Sequence, residues 1–160
     1  MFGFKKKTAN NEFLAVADCE LISIEKVKDP VFSQKMMGDG FAIVPSGESI
    51  CACADAKVSM LFPSGHAVGL TLADGMEILI HIGIDTVNEN GKGFTCLCKK
   101  NQRVRAGQEL VKIDRAYLEG KGYDLSVMVI FTNAQAYTSF TLAQDTNMKA
   151  GVSVAATYTK

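Results

Sequence analysis

The stretch from Leu70 to Ile84 constrains the fold more than any other. Two apolar runs, Leu70-Thr71-Leu72-Ala73 and Met76-Glu77-Ile78-Leu79-Ile80, flank an Asp74-Gly75 pair, the strongest short-range signal for two antiparallel strands joined by a tight turn. In the second run Ile78, Ile80, Ile82 and Ile84 fall on one face, with Glu77, Leu79, His81 and Gly83 on the other. The period of two predicts an unbroken isoleucine row against a core, with His81 pointing away from it. If Asp74 and Gly75 form a two-residue loop, Ala73 faces Met76 and His66 faces Gly83. His81 then lies diagonal to His66 on one face, with Cβ atoms roughly 7 Å apart. A three-residue loop would slip the register by one and send the rings to opposite faces. His66 and His81 are the only two histidines of the chain, and their convergence would favour a chemical role over a packing one.

Turn signals recur throughout: Gly38-Asp39-Gly40, Pro45-Ser46-Gly47, Pro63-Ser64-Gly65, Asn90-Gly91, Ala106-Gly107 and Gly120-Lys121-Gly122. Helical periodicity is scarce, so the pattern predicts an all-β fold, an antiparallel sandwich or barrel-like arrangement. Short helical turns are expected near residues 28–35 and 114–119. An internal echo, Ala15-Val16-Ala17-Asp18-Cys19-Glu20-Leu21 against Ala52-Cys53-Ala54-Asp55-Ala56-Lys57-Val58, suits duplicated strand motifs. At 160 residues the chain is long enough for one domain with a proper core; residues 15–160 are expected to form it, behind a flexible tail over 1–14. Lys plus Arg and Asp plus Glu number 17 each, which gives no reason to invoke nucleic acid. No apolar run approaches a membrane span and the start lacks a secretory core, so a cytoplasmic protein is expected. Met1-Phe2-Gly3-Phe4-Lys5-Lys6-Lys7 reads as a solvated terminus with at most peripheral membrane contact.

The segment Gly75-Met76-Glu77-Ile78-Leu79-Ile80-His81-Ile82-Gly83-Ile84-Asp85-Thr86-Val87 resembles the signature of the glucose-type enzyme IIA component of the bacterial phosphoenolpyruvate-dependent sugar phosphotransferase system. Similarity extends to Asp29-Pro30-Val31-Phe32, Gly38-Asp39-Gly40-Phe41-Ala42-Ile43, Phe62-Pro63-Ser64-Gly65-His66-Ala67, Gly91-Lys92-Gly93-Phe94, Val104-Arg105-Ala106-Gly107-Gln108-Glu109-Leu110 and Phe131-Thr132-Asn133.

The resemblance implies a phosphotransferase component. A phosphoryl group would arrive from the histidine-containing phosphocarrier protein onto Nε2 of His81 and leave to the cysteine of a sugar-specific IIB domain. Imidazole suits the task because it is an uncharged nitrogen nucleophile near neutral pH. His66 would stay unphosphorylated and donate a hydrogen bond to the phosphoryl oxygens, and Ser64, standing where the family has threonine, would orient it. Asp39 and Asp85 would meet partner arginines at the rim, and Phe41, Phe62, Leu79 and Val87 would supply its apolar docking surface. No cofactor and no metal of its own is required, although the resemblance admits zinc on His66 and His81 with a partner-supplied ligand. The alternative is a non-catalytic regulator of the same fold, whose binding to transporters or metabolic enzymes is switched by His81 phosphorylation.

Some residues depart from the family. Val16 and Cys19, then Cys53 and Ala56, replace the usual proline and glycine; if those glycines have positive φ, Cys19 and Ala56 carry strain of about 1 kcal/mol each. Glu89 replaces a leucine near the docking rim, where it would weaken or redirect partner recognition, and Met128 replaces a proline. Four of the five cysteines form Cys51-Ala52-Cys53 and Cys96-Leu97-Cys98. Their spacing does not suit a zinc knuckle, and buried apolar packing in a reducing compartment explains them better. Biotinyl or lipoyl carriers share the pattern of residues 104–110, but Lys57 lacks the flanking methionines of an attachment lysine. Zinc peptidases of related architecture need a third ligand, usually from a His-x-His pair that is absent.

Overall fold

Alternating sequence builds three antiparallel sheets in the computed structural model, which describes residues 11–133 and 139–159. The strands are β1 (Glu12–Leu14), β2 (Cys19–Ser23), β3 (Asp39–Pro45), β4 (Ser49–Cys51), β5 (Ala56–Leu61), β6 (Ala67–Leu72), β7 (Glu77–Ile82), β8 (Phe94–Cys96), β9 (Arg103–Val104), β10 (Glu109–Ile113), β11 (Val127–Phe131), β12 (Ser139–Leu142), β13 (Asn147–Met148) and β14 (Val154–Thr159). Two short helices, α1 (Pro30–Ser33) and α2 (Arg115–Gly120), and 3-10 turns over Ile24–Lys26 and Thr86–Glu89 complete the described elements. An eight-stranded sheet runs β13-β2-β3-β11-β7-β6-β5-β9, beside three-stranded sheets β4-β10-β8 and β1-β14-β12. The expected all-β antiparallel class is the one that forms, and both expected helical turns contain a helix.

The main core lies where the sheets face one another: Ile43, Ile80 and Val129 of the large sheet pack with Ile50, Val111, Phe13 and Tyr158 of the small ones. A second apolar cluster covers the other face of the large sheet, where Ala42, Ala67, Leu79, Met128 and Ile130 meet Ile24, Val27 and Phe32. β7 therefore has cover on both faces. Ile78, Ile80 and Ile82 enter the main core, but Ile84 packs against the second cluster. The isoleucine row breaks because Gly83, at φ 80°, turns the chain after β7.

Of the two loop lengths considered, the longer one forms. Leu72 N–H donates to Met76 O at 2.9 Å and Ala67 faces His81, so Ala73, Asp74 and Gly75 form a three-residue loop. Asp74 Oδ1 accepts from Met76 N–H at 3.0 Å, and Gly75 has φ 92°, the left-handed residue that three-residue hairpins use. The register slips by one, yet the rings do not separate, for a reason given below.

The internal echo is a structural repeat. Leu14 N–H donates to Cys53 O and Cys51 N–H to Val16 O, both at 2.7 Å, which relates the two copies by an approximate twofold axis. Asp18 Oδ1 accepts from Ala150 N–H at 2.9 Å, as Asp55 Oδ1 does from Ala106 N–H at 2.8 Å. Gly107 and Gly151 meet across this axis, where an added Cβ on Gly151 would lie 2.7 Å from Gly107 Cα. A second echo thus pairs residues 104–110 with 148–154, one that the sequence reading missed because its residues match only loosely. The strain foreseen at Cys19 and Ala56 is absent: they open β2 and β5, and neither has positive φ.

Two further expectations change. Glu12–Leu14 belongs to the fold, pairing with β14 while Phe13 is fully buried, so the folded part begins before residue 15; residues 1–10, including the lysine run, lie outside the described residues. Cys51, Cys53 and Cys98 are buried, but Cys96, at the end of β8, is exposed. Burial pushes the Cys51 and Cys53 thiols up to about 12, which makes them poor nucleophiles. No helix of the described residues is long and apolar enough to cross a membrane.

Candidate functional site

His81 is the fifth residue of β7 and faces the second cluster. Its ladder neighbours there are Ala67 on β6 and Met128 on β11, one small and one flexible residue. His66 lies just before β6, in a bend that contains Gly65 at φ 73°. Because the bend stands outside the ladder, strand alternation does not bind it. The two rings meet edge to face, with centroids 5.1 Å apart and planes at 80°.

Each ring is held from behind. His81 Nδ1 lies 3.0 Å from Gly83 O; a carbonyl only accepts, so the Nδ1 proton is fixed there and Nε2 keeps its lone pair. His66 Nδ1 is hydrogen-bonded to the Ser64 hydroxyl. With that hydroxyl donating, the remaining proton sits on His66 Nε2 as an available donor. One imidazole offers a lone pair and its neighbour an N–H. Phe32 of α1 tilts against His81 at 4.9 Å between centroids, and Phe62 stands edge-on to His66 at 5.4 Å.

Burial and the neighbouring His66 hold the His81 pKa down to about 4, against the opposing pull of the Gly83 carbonyl, Asp29 and Asp85. Burial also lowers that of His66. Both rings are therefore neutral at neutral pH, the state a nitrogen nucleophile needs. The sign follows from linkage: a base whose pKa falls on folding binds its proton more readily in the unfolded chain, so stability is full above pH 6.5 and is lost as pH drops towards 4. At pH 6 roughly a hundredth of His81 should be protonated. A histidine proton NMR titration checks this; a midpoint near that of free imidazole would contradict the geometry.

Gly83 carries a heavy constraint. A Cβ there would overlap Thr86 Cγ2 and lie 3.4 Å from Asp124 O, on a backbone at φ 80°. Gly83→Ala should destabilise the protein by about 3 kcal/mol and loosen the carbonyl that orients His81. Urea unfolding and the His81 ring shifts read the two effects separately.

The structure brings Ser64, His66 and His81 together, with Phe62 beside them. Val87 is exposed in the 3-10 turn after Asp85, and Asp85 is exposed too, at φ 62° with no side-chain cap bond. Asp39 is tied down: it pairs with Lys35 at 3.5 Å and accepts from Gly40 N–H at 2.8 Å. Phe41 does not reach the rim. It is fully buried in the main core, edge-on to Phe131 at 6.3 Å, because its position in β3 alternates inward. Leu79 is likewise buried, in the second cluster, where it shares a face with His81 rather than an exposed edge. Glu89 is not free to redirect a partner, since its carboxylate accepts from the hydroxyls of Tyr117 and of Tyr123, the latter at 2.6 Å.

Phe32, Gly83 and Met128 were not foreseen as site residues. Asp29-Pro30 carried a usable signal for the first, because an Asp cap followed by proline starts a helix. Asp29 Oδ1 accepts from Val31 N–H at 2.9 Å, and α1 sets Phe32 on His81. Among the described residues no group of three or more His, Cys, Asp or Glu side chains is placed to hold a metal.

The sequence and the fold also match known proteins. Residues 11–137 match the family described as phosphoenolpyruvate-dependent sugar phosphotransferase system, EIIA 1. A glucose-specific EIIA component from Halalkalibacterium halodurans is 38% identical over 158 residues, covering 94% of this chain and 91% of the relative. A glucose-specific EIICBA component from Streptococcus pneumoniae is 42% identical over 149 residues, 93% of this chain but 20% of that protein. The chain thus spans about a fifth of the fused relative and nearly all of the standalone one. The solved glucose permease IIA from Mycoplasma capricolum superposes with a TM-score of 0.81 at 32% identity, covering 93% of this chain and 96% of that one. A family match over most of the chain, close identity to a standalone relative and the shared sandwich place this protein in the EIIA family of the phosphoenolpyruvate-dependent sugar phosphotransferase system.

Proposed function

We propose that His81 Nε2 is the phosphoryl acceptor, that the donor is the histidine-containing phosphocarrier protein, and that the group passes on to the cysteine of a IIB domain. The observation that carries this reading is the 3.0 Å contact of His81 Nδ1 with Gly83 O, which leaves Nε2 as the lone-pair nitrogen. As the bond from phosphorus to Nε2 forms, the nitrogen–phosphorus bond in the donor breaks. His66 Nε2–H, backed by Ser64, donates to the phosphoryl oxygens as charge builds on them. Exposed Val87 and Asp85 contribute to partner docking, and Asp39 does so through the carboxylate oxygen that Lys35 leaves free. Fusion of EIIA to EIICB segments in relatives supports a IIB partner. The same Nε2 pair supplies two zinc ligands when a partner brings the others.

The test is to map the phosphorylated atom. After incubation with phosphoenolpyruvate and the upstream proteins, mass spectrometry under conditions that preserve phosphohistidine should place the group on the peptide containing His81. Nitrogen-15 NMR should assign it to Nε2. Label on His66, or on Nδ1 of His81, overturns the proposal.

A further inference from the structure

The far end of the β5–β6 ladder carries a concave feature that phosphoryl transfer leaves unused. A cleft of about 740 Å³ opens there, lined by Asp55, Lys57, Thr71, Arg103, Arg105 and Gln108 among others. That volume falls in the range of small-ligand sites. Thr71 stands four residues along β6 from Ala67, the neighbour of His81, which puts the cleft roughly 14 Å from the histidines along the strand.

Its charges are arranged against the interest of the fold. Lys57 and Arg103 are directly opposite one another, and like charges so placed are destabilising. The ion pairs among the described residues join Lys35 to Glu25 and Asp39, and Arg115 to Glu119; none involves Lys57, Arg103 or Arg105. Asp55 is the one carboxylate in the lining, with one oxygen already committed to Ala106 N–H. Three cations and one carboxylate leave two positive charges in excess.

The internal repeat supplies a control within the same molecule. Val58 N–H donates to Gln102 O at 2.8 Å, and its counterpart Leu21 N–H donates to Thr146 O at 2.7 Å. This equivalence sets Glu20 against Lys57, Asn147 against Arg103 and Val44 against Thr71. The same backbone is built there from a Glu20–Asn147 pair, so the turn does not require the Lys57–Arg103 pair.

We propose that this cleft binds a small phosphomonoester. Such a group is close to dianionic at neutral pH, its second pKa being about 6, which matches the excess charge. Guanidinium forks grip phosphate oxygens in pairs, and the Thr71 hydroxyl and the free oxygen of Asp55 face the organic part of the ligand.

The experiment titrates glycerol phosphate into the nitrogen-15-labelled full chain at neutral pH and fixed ionic strength. Saturable amide shifts are expected at residues 55–58, 71–73 and 103–108, with a Kd of about 0.1–1 mM. The double substitution Lys57→Glu with Arg103→Asn, which copies the other half of the repeat, should weaken binding roughly a hundredfold without lowering the thermal midpoint. Shifts that do not saturate, or that sulfate and succinate reproduce equally, overturn the proposal as a general anion atmosphere. Shifts centred on Ala67 and Gly83 assign the binding to the histidines instead and also overturn it. So does tighter binding of an oligoglutamate peptide, which would make the cleft a protein-docking surface.

Discussion

His81→Ala leaves no phosphorylated product: supplied with phosphoenolpyruvate and the upstream proteins, the variant should hold no acid-labile phosphate. The remaining nitrogen nucleophile in the site, His66, cannot substitute. It is buried, with 4% of its surface exposed, and its tautomer is turned the other way by Ser64. The loss should not be one of folding, because the removed ring rests on Phe32 and fills no part of the main core. A stability change of about 1 kcal/mol is expected, and the thermal midpoint serves as the control. Retained label in a folded His81→Ala protein would refute the assignment outright.

His66→Gln should separate the two half-reactions. On arrival the nucleophile is a neutral imidazole, and a glutamine amide can still offer an N–H to the phosphoryl oxygens, so uptake should persist. On departure the attacking group is a thiolate, and an anion approaching a phosphoryl dianion concentrates negative charge in the transition state. A fixed imidazole donor, itself polarised by Ser64, should count for most there. Transfer to a IIB domain is expected to slow by about 10²-fold, the scale on which removal of one oxyanion donor is felt. Rapid-quench measurement of both half-reactions distinguishes this from a general loss of activity. Normal donation to IIB by the variant would remove His66 from the mechanism.

Legibility in the sequence followed the range of the interactions. The β7 strand was readable because alternation is local, as was the place of the two helical turns, where the structure shows Asp29 and Asp114 each accepting from a backbone N–H of the first turn. The length of the loop between β6 and β7 stayed open because a two-residue and a three-residue turn use the same Asp-Gly pair. The choice between them rests on contacts from far along the chain, where Asn133 donates to Gly75 O and accepts from Glu77 N–H, each at 2.9 Å. Phe41 was misplaced because its rim role came from the resemblance alone, and a period of two states which residues share a face but not which face is the core. In a sheet with cover on both sides the two faces look alike. The repeat was visible in one half alone, since Val104–Leu110 and Met148–Val154 are alike chiefly in the contact of Gly107 with Gly151.

By itself, the sequence determined the all-β class, the inward isoleucines of β7 and the residue types that the chemistry needs, because alternation, caps and side-chain functional groups are written into neighbouring positions. Only the tertiary structure decided that the two imidazoles meet despite the shifted register, that burial keeps them neutral, and that Gly83 O selects the lone-pair nitrogen. Those outcomes depend on a bend at Gly65, on cover from α1 and on a backbone carbonyl beyond the strand. Each is a contact between segments whose distances no local pattern records.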